Sequence, residues 1–166
     1  MSVPEILAAA RTRRAMIATA ESCTAGMIAA TLTDPAGASD VFDCGFVTYS
    51  NAAKMRMLGV RRETLDTHGA VSEAVAHEMA QGALDRSQAA LAVAVTGIAG
   101  PGGSEYKPEG RVCFALAGLA SHVETVEFGA PGRSAVRHET VQHALALLLG
   151  ALTQDGDQRG KVGRIP

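Results

Sequence analysis

Residues 89–103 read Ala-Ala-Leu-Ala-Val-Ala-Val-Thr-Gly-Ile-Ala-Gly-Pro-Gly-Gly, an apolar run that ends at Thr96 and breaks into a glycine-dense loop. The run lacks polar/apolar alternation, so its length rather than its period predicts a strand over 89–96, covered on both faces. Such a strand needs helices above and below it. Upstream, Ser72 is placed to cap a helix over 73–86 whose apolar stripe runs through Val75, Met79 and Ala83. Before it lie a strand over 41–49 and a helix capped by Ser50 or Asn51, which runs through Lys54, Met55 and Leu58 and stops at Gly59.

The first residues add a capping box, Ser2-Val-Pro-Glu5, with a helix over 4–13, a buried strand over 15–20, and a helical run over 24–32 that halts before Asp34-Pro35. Downstream, 111–118 and 122–128 form two strands joined by Gly118-Leu-Ala-Ser121, and a last helix covers 133–152. Helices alternating with strands, followed by a hairpin, predict a three-layer α/β/α sandwich with a mixed, mostly parallel central sheet. One domain over 1–152 is expected, with a polar and mobile tail over 153–166. In such sheets ligands bind where loops leave the carboxyl ends of strands, which directs attention to 20–26, 48–54 and 96–110.

Composition narrows the function classes. The 166 residues are 47% hydrophobic and 19% charged, which excludes a disordered chain. Lys and Arg number 15 against 17 Asp and Glu, aromatics are 4% and Trp is absent, so neither a basic duplex binder nor a stacking platform for single strands is indicated. Cys23, Cys44 and Cys113 make an odd set without a C-x-x-C pair, which fits a reducing cytoplasm better than a disulfide framework. No apolar stretch is long enough to span a membrane, and the N-terminus lacks the order of a secretory signal.

Each of the three segments carries unusual polar chemistry. Ala20-Glu-Ser-Cys-Thr-Ala-Gly26 puts Ser22 on a strand-to-helix turn, the logic of a nucleophile elbow, although Ser there is equally a helix cap. Cys23 is a rival nucleophile, or a small buried hydrophobe. Tyr49-Ser-Asn-Ala-Ala-Lys54 places an amine in the first turn of a helix, where dipole and desolvation both favour its neutral form. A neutral lysine can serve a serine as base; a solvated lysine is the plainer reading, as a half-buried strand aromatic is for Tyr49.

Thr96 to Ser104 can turn backbone N–H groups toward an anion, yet Gly97, Gly100, Gly102 and Gly103 fit neither a P-loop nor a dinucleotide fingerprint, and a structural turn stays open. Lys107, Arg133 and Arg137 offer charge for a phosphate. His77-Glu-Met-Ala-Gln81 begins like a zinc-hydrolase helix but has Gln where the second His belongs, and His138 and His143 share no helix face, so no metal is expected.

Taken together, Ala20–Gly26, Tyr49–Lys54 with Leu58-Gly-Val60, His68-Gly-Ala-Val-Ser72 and Val95–Gly103 resemble the CinA C-terminal domain family over about residues 6–149. That family includes stand-alone nicotinamide-nucleotide amidases. The resemblance implies hydrolysis of the carboxamide of nicotinamide mononucleotide, to nicotinic acid mononucleotide and ammonia, in pyridine-nucleotide salvage and without a cofactor. By position in the motifs, Ser22 corresponds to the nucleophile, Lys54 to its base, and Tyr49 to a residue that assists proton transfer or holds the dyad. Thr96 and Gly97, Gly100, Gly102 and Gly103 correspond to the ligand and oxyanion side, and Arg137 matches a basic position in the last helix.

Two residues depart from the pattern. Ala25 stands where Gly is usual, harmless if its backbone is helical, and Glu109 stands where Val is usual, bringing negative charge toward the loop. Many family members carry a further N-terminal domain, and this chain resembles the stand-alone form. A non-catalytic nucleotide-binding or regulatory module of the same fold is the alternative. A homo-oligomer is also expected, since the alanine-rich helix over 73–86 can pack against a second subunit as easily as against its own sheet.

Overall fold

The computed structural model describes residues 2–104 and 106–154, so most of the expected tail lies outside the described residues. In chain order the elements are α1 (Val3–Arg13), β1 (Ile17–Glu21), α2 (Met27–Thr33), a short 3-10 turn (Ala38–Asp40), β2 (Phe42–Val47), α3 (Asn51–Leu58), α4 (Arg62–His68), α5 (Glu73–Asp85), β3 (Leu91–Gly97), β4 (Arg111–Gly118), β5 (His122–Glu127) and α6 (Arg133–Thr153). They build a five-stranded sheet of order β2-β1-β3-β4-β5. β1 pairs in parallel with β2 and β3, whereas β4 runs antiparallel to both β3 and β5. Four of the five strands therefore point the same way, and β4 alone is reversed.

β3 is the middle strand, buried along its length until Gly97. Its alternation is one of size rather than polarity. Leu91, Val93 and Val95 join Ile17, Ile28, Phe114 and Leu148 in the core under α1, α2 and α6. Ala92 and Ala94 join Ala18, Ala20 and Ala115 in the core under α3, α4 and α5. Alanines on that face let α5 lie close, and Val75, Ala76, Met79, Ala80 and Ala83 of α5 are spent on it. The alanine-rich stripe thus packs on its own sheet, which removes the reason given for a second subunit on that face.

Several expected boundaries move, each for a local reason. α2 begins at Met27, not Thr24, because Ala25 and Gly26 take left-handed backbone (φ 49° and 95°) and make a turn of the preceding residues. β2 ends at Val47 instead of Tyr49, since the carbonyls of Thr48 and Tyr49 turn away to face Lys54. α4 was not expected from the sequence. Its seven residues are capped from outside by Glu78, which accepts from the Arg61 N–H at 2.8 Å and the Thr64 hydroxyl at 2.6 Å. That bond also assigns Glu78 of the His77-Glu78 pair to a structural task. Among the described residues no helix is long and apolar enough to cross a membrane.

Candidate active site

β1, β2 and β3 end side by side, and the segments that leave them meet over the sheet. Along β1 the side chains alternate between faces. Ile17, Thr19 and Glu21 face the α2 side, so Ser22, one residue on, faces α3. Ser22 is buried, and its N–H donates to Val95 O of β3 at 3.1 Å, fixing the Ser22 turn to the central strand.

α3 delivers the second group. Ser50 caps it, its hydroxyl accepting from the Ala53 N–H at 3.1 Å, and Gly59 closes it in left-handed conformation (φ 70°). Lys54 in between is 1% exposed and is among the largest fully buried side chains. Its Nζ lies 2.9 Å from Ser22 Oγ, 2.9 Å from Thr48 O and 3.2 Å from Tyr49 O. Burial lowers its pKa to about 8. No carboxylate bonds to the amine among the described residues. A neutral amine has two N–H donors and one lone pair. As the ammonium Lys54 donates to Ser22 Oγ and both carbonyls; once neutral, its two N–H groups can stay on the carbonyls, which frees the lone pair for the Ser22 hydroxyl, the arrangement a general base needs.

A cavity of about 320 Å³ opens onto this pair, lined by Ser22, Cys23, Tyr49, Lys54, Thr96, Gly97, Gly100, Gly102 and Arg133 among others. Thr96 is buried and donates its hydroxyl to Ala70 O at 2.8 Å, which ties β3 to the segment before α5. Gly97 has no room for a side chain, since a Cβ there would stand 2.6 Å from Val112 Cγ2 and 3.1 Å from Cys23 Sγ. Cys23 lines the cavity, but burial pushes its thiol up to about 11, so it is a small apolar wall and not a thiolate. Gly103 stands outside the lining, where a Cβ would come within 2.5 Å of Lys107 O.

Two expected residues occupy other positions than their proposed roles suggest. Tyr49 is 59% exposed, and its hydroxyl accepts from Arg133 Nη2 at 3.1 Å; the group that bonds to Lys54 is its backbone carbonyl. Arg137 lies behind the turn that follows Ser22, not in the cavity lining, and donates to Cys23 O at 3.0 Å and Thr24 O at 3.4 Å. The cation that reaches the cavity from α6 is Arg133, whose Nη1 also donates to Gly100 O at 2.8 Å. Glu21 was passed over in the sequence reading. It is 1% exposed and holds the turn from the other side. Among the described residues no cluster of three His, Cys, Asp or Glu is arranged to hold a metal.

Comparison with known proteins identifies the family. The chain is 51% identical over 142 residues to the nicotinamide-nucleotide amidohydrolase PncC of Escherichia coli K12, a match covering 84% of this chain and 86% of that protein. It is 64% identical over 102 residues to a CinA-like protein of Chlorobium phaeobacteroides, where the match covers 61% of this chain but 24% of the longer relative. Against a putative competence-damage inducible protein of Symbiobacterium thermophilum the match spans 33% of the relative. The crystal structure of the competence/damage inducible protein CihA from Agrobacterium tumefaciens superposes with a TM-score of 0.81 at 50% identity, covering 90% of this chain and 96% of that one. A competence or damage-inducible protein from Enterobacter asburiae gives a TM-score of 0.87 at 36% identity, over 91% and 96% of the two chains. With the family profile matching residues 2–152, the chain belongs to the CinA C-terminal domain family.

Proposed function

We propose that this protein is a serine amidase that hydrolyses the carboxamide of nicotinamide mononucleotide, yielding nicotinic acid mononucleotide and ammonia in pyridine-nucleotide salvage. The observation that carries the reading is the buried Lys54 amine 2.9 Å from Ser22 Oγ, with two backbone carbonyls on its remaining hydrogens. The E. coli relative named as a nicotinamide-nucleotide amidohydrolase, matched over most of both chains, supports the substrate class.

In this mechanism Lys54 takes the Ser22 hydroxyl proton while Oγ bonds to the carboxamide carbon. The developing oxyanion takes hydrogen bonds from N–H groups at the nucleophile turn and the glycine loop; the Cys23 N–H, one residue beyond the nucleophile, donates to no carbonyl among the described residues. The Lys54 ammonium then protonates the departing nitrogen, the C–N bond breaks and ammonia leaves. Lys54, neutral again, deprotonates a water that attacks the Ser22 ester, and the carboxylate product is released with the hydroxyl restored. The rationale for Lys instead of His is burial, which brings an amine into the range where it works as acid and base near neutrality.

The test is ammonia release from nicotinamide mononucleotide by the parent, Ser22→Ala and Lys54→Ala chains, with chelator present and the product identified by mass. Loss of at least about a thousandfold in both variants is expected, the usual scale for removing a nucleophile or its base. A parent that binds the nucleotide yet releases no ammonia overturns the reading in favour of a regulatory nucleotide-binding module.

A further inference from the structure

Glu21 is a fully buried carboxylate that the dyad chemistry does not use. Oε1 accepts from the Thr24 hydroxyl at 2.7 Å and the Ile28 N–H at 2.8 Å, and Oε2 accepts from the Ala29 N–H at 3.0 Å and the Thr19 hydroxyl at 3.3 Å. The first turn of α2 is capped by no side chain of its own, because its N-cap residue is Gly26. Glu21 reaches across the turn and supplies that cap. On the opposite side Arg137 holds the carbonyls of Cys23 and Thr24. The turn between them contains the left-handed Ala25 and Gly26, a conformation that needs holding in place.

We infer that Glu21 is the positioning residue of the nucleophile: by tying Thr24 and the start of α2 back to the end of β1, it fixes where the Ser22 hydroxyl stands relative to Lys54. The inference rests on the Ser22–Lys54 reading and extends it one residue inward. Glu21 touches neither substrate nor base. Its effect is on geometry, and an offset of a fraction of an ångström at a nucleophile lowers the rate of attack without changing how substrate is bound.

The test reads Ser22 directly, through the rate at which a small fluorophosphonate labels it, followed by intact mass well below the melting temperature of each variant. In Glu21→Gln one carboxylate oxygen becomes an amide nitrogen facing N–H and O–H donors. Labelling at least tenfold slower per folded molecule is expected, with kcat on the nucleotide amide falling in step and KM within about twofold. Thr24→Val keeps the carboxylate and removes one bond to it; a smaller slowing, about threefold, is expected, and this variant carries the test if Glu21→Gln does not fold. Parental labelling rates in a folded Glu21→Gln or in Thr24→Val overturn the positioning role while leaving the dyad intact. A parent that is not labelled at all, or one labelled equally without Lys54, overturns the dyad and the positioning role together.

Discussion

The guanidinium of Arg133 donates to the Tyr49 hydroxyl at 3.1 Å, joining the first turn of α6 to the segment that leaves β2 on one side of the Ser22 cavity. Its second nitrogen holds Gly100 O, so the glycine loop, the tyrosine and the arginine are joined into one wall. Arg133 is exposed, and a guanidinium fork matches a phosphate at two oxygens. Arg137, four residues on, spends its donors on the nucleophile turn. The two arginines are therefore expected to separate in kinetics. Arg133→Ala raises KM for the phosphorylated nucleotide about 10- to 100-fold, the value of one charge-assisted contact, and leaves the dephosphorylated nucleoside nearly unaffected. Arg137→Ala lowers kcat for both. Equal sensitivity of the two substrates to Arg133→Ala sinks the assignment.

The pH dependence follows from Lys54. Burial brings its pKa to about 8, and only the neutral amine accepts the serine proton, so kcat/KM rises with pH through about 8 and levels above it. A flat profile from pH 6 to 9 would remove Lys54 as the base.

Stability has a sign of its own. Below pH 8 both folded and unfolded chains carry the ammonium, and the folded chain bears the penalty of burying it. Above 8 the folded chain releases the proton while the unfolded one keeps it up to its ordinary 10.5. The unfolded state then binds more protons, so stability rises with pH from about 8. Cys23, raised from 9.0 to about 11, acts in the opposite direction above pH 9. The clean window is pH 7.5 to 9, where the Tm of the parent is expected to climb relative to that of Lys54→Met. A constant difference between the two refutes it.

Much of this is legible in the sequence. The apolar run over 89–96 located the central strand because a strand covered on both faces has no polar side to show, and Ser50, Gly59 and Ser72 marked helix ends through their own local chemistry. α4 was not legible, since its N-terminus is capped by Glu78 from 17 residues away and a local reading cannot find such a partner. The role of Glu21 was hidden for the same reason. A carboxylate on an apolar strand announces burial, but its partners lie seven and eight residues later, beyond a turn whose left-handed shape the sequence does not display. Ser22, Tyr49 and Lys54 stood out by their places at strand ends and in a helix first turn, and the motif resemblance gave them roles; that Tyr49 contributes its carbonyl to Lys54 and its hydroxyl to Arg133 is a matter of three-dimensional placement alone.

Glu109, where Val is usual in the family, packs its carboxyl against Gly100, whose left-handed backbone (φ 89°) leaves the space a Cβ would fill. Gly100 O is the acceptor of Arg133, so the carboxylate sits one residue behind the wall assigned to the phosphate. Repulsion through a partly solvated path is modest. Glu109→Val is expected to lower KM for the nucleotide about two- to threefold at low salt, with the gain shrinking as ionic strength rises. An unchanged KM at low salt would show that the charge is fully screened from the site.

Ala25 departs from the family pattern in a way that the backbone makes measurable. Right-handed helical geometry would have made the alanine harmless, but its φ is 49°, where a Cβ crowds the following carbonyl at a cost of roughly 1–2 kcal/mol. Glycine relieves that strain and adds about 0.4–1 kcal/mol of unfolded-state entropy against the fold. The first effect is the larger, so Ala25→Gly is expected to stabilise by about 0.5–1 kcal/mol and raise Tm by about 1–4 °C in a domain of this size. Ala25→Val, β-branched at positive φ, should fall on the other side of the parent. Melting curves of the three chains decide it: a Gly variant that melts below the parent means that Glu21 and Arg137 hold the turn so firmly that Ala25 is not strained within it.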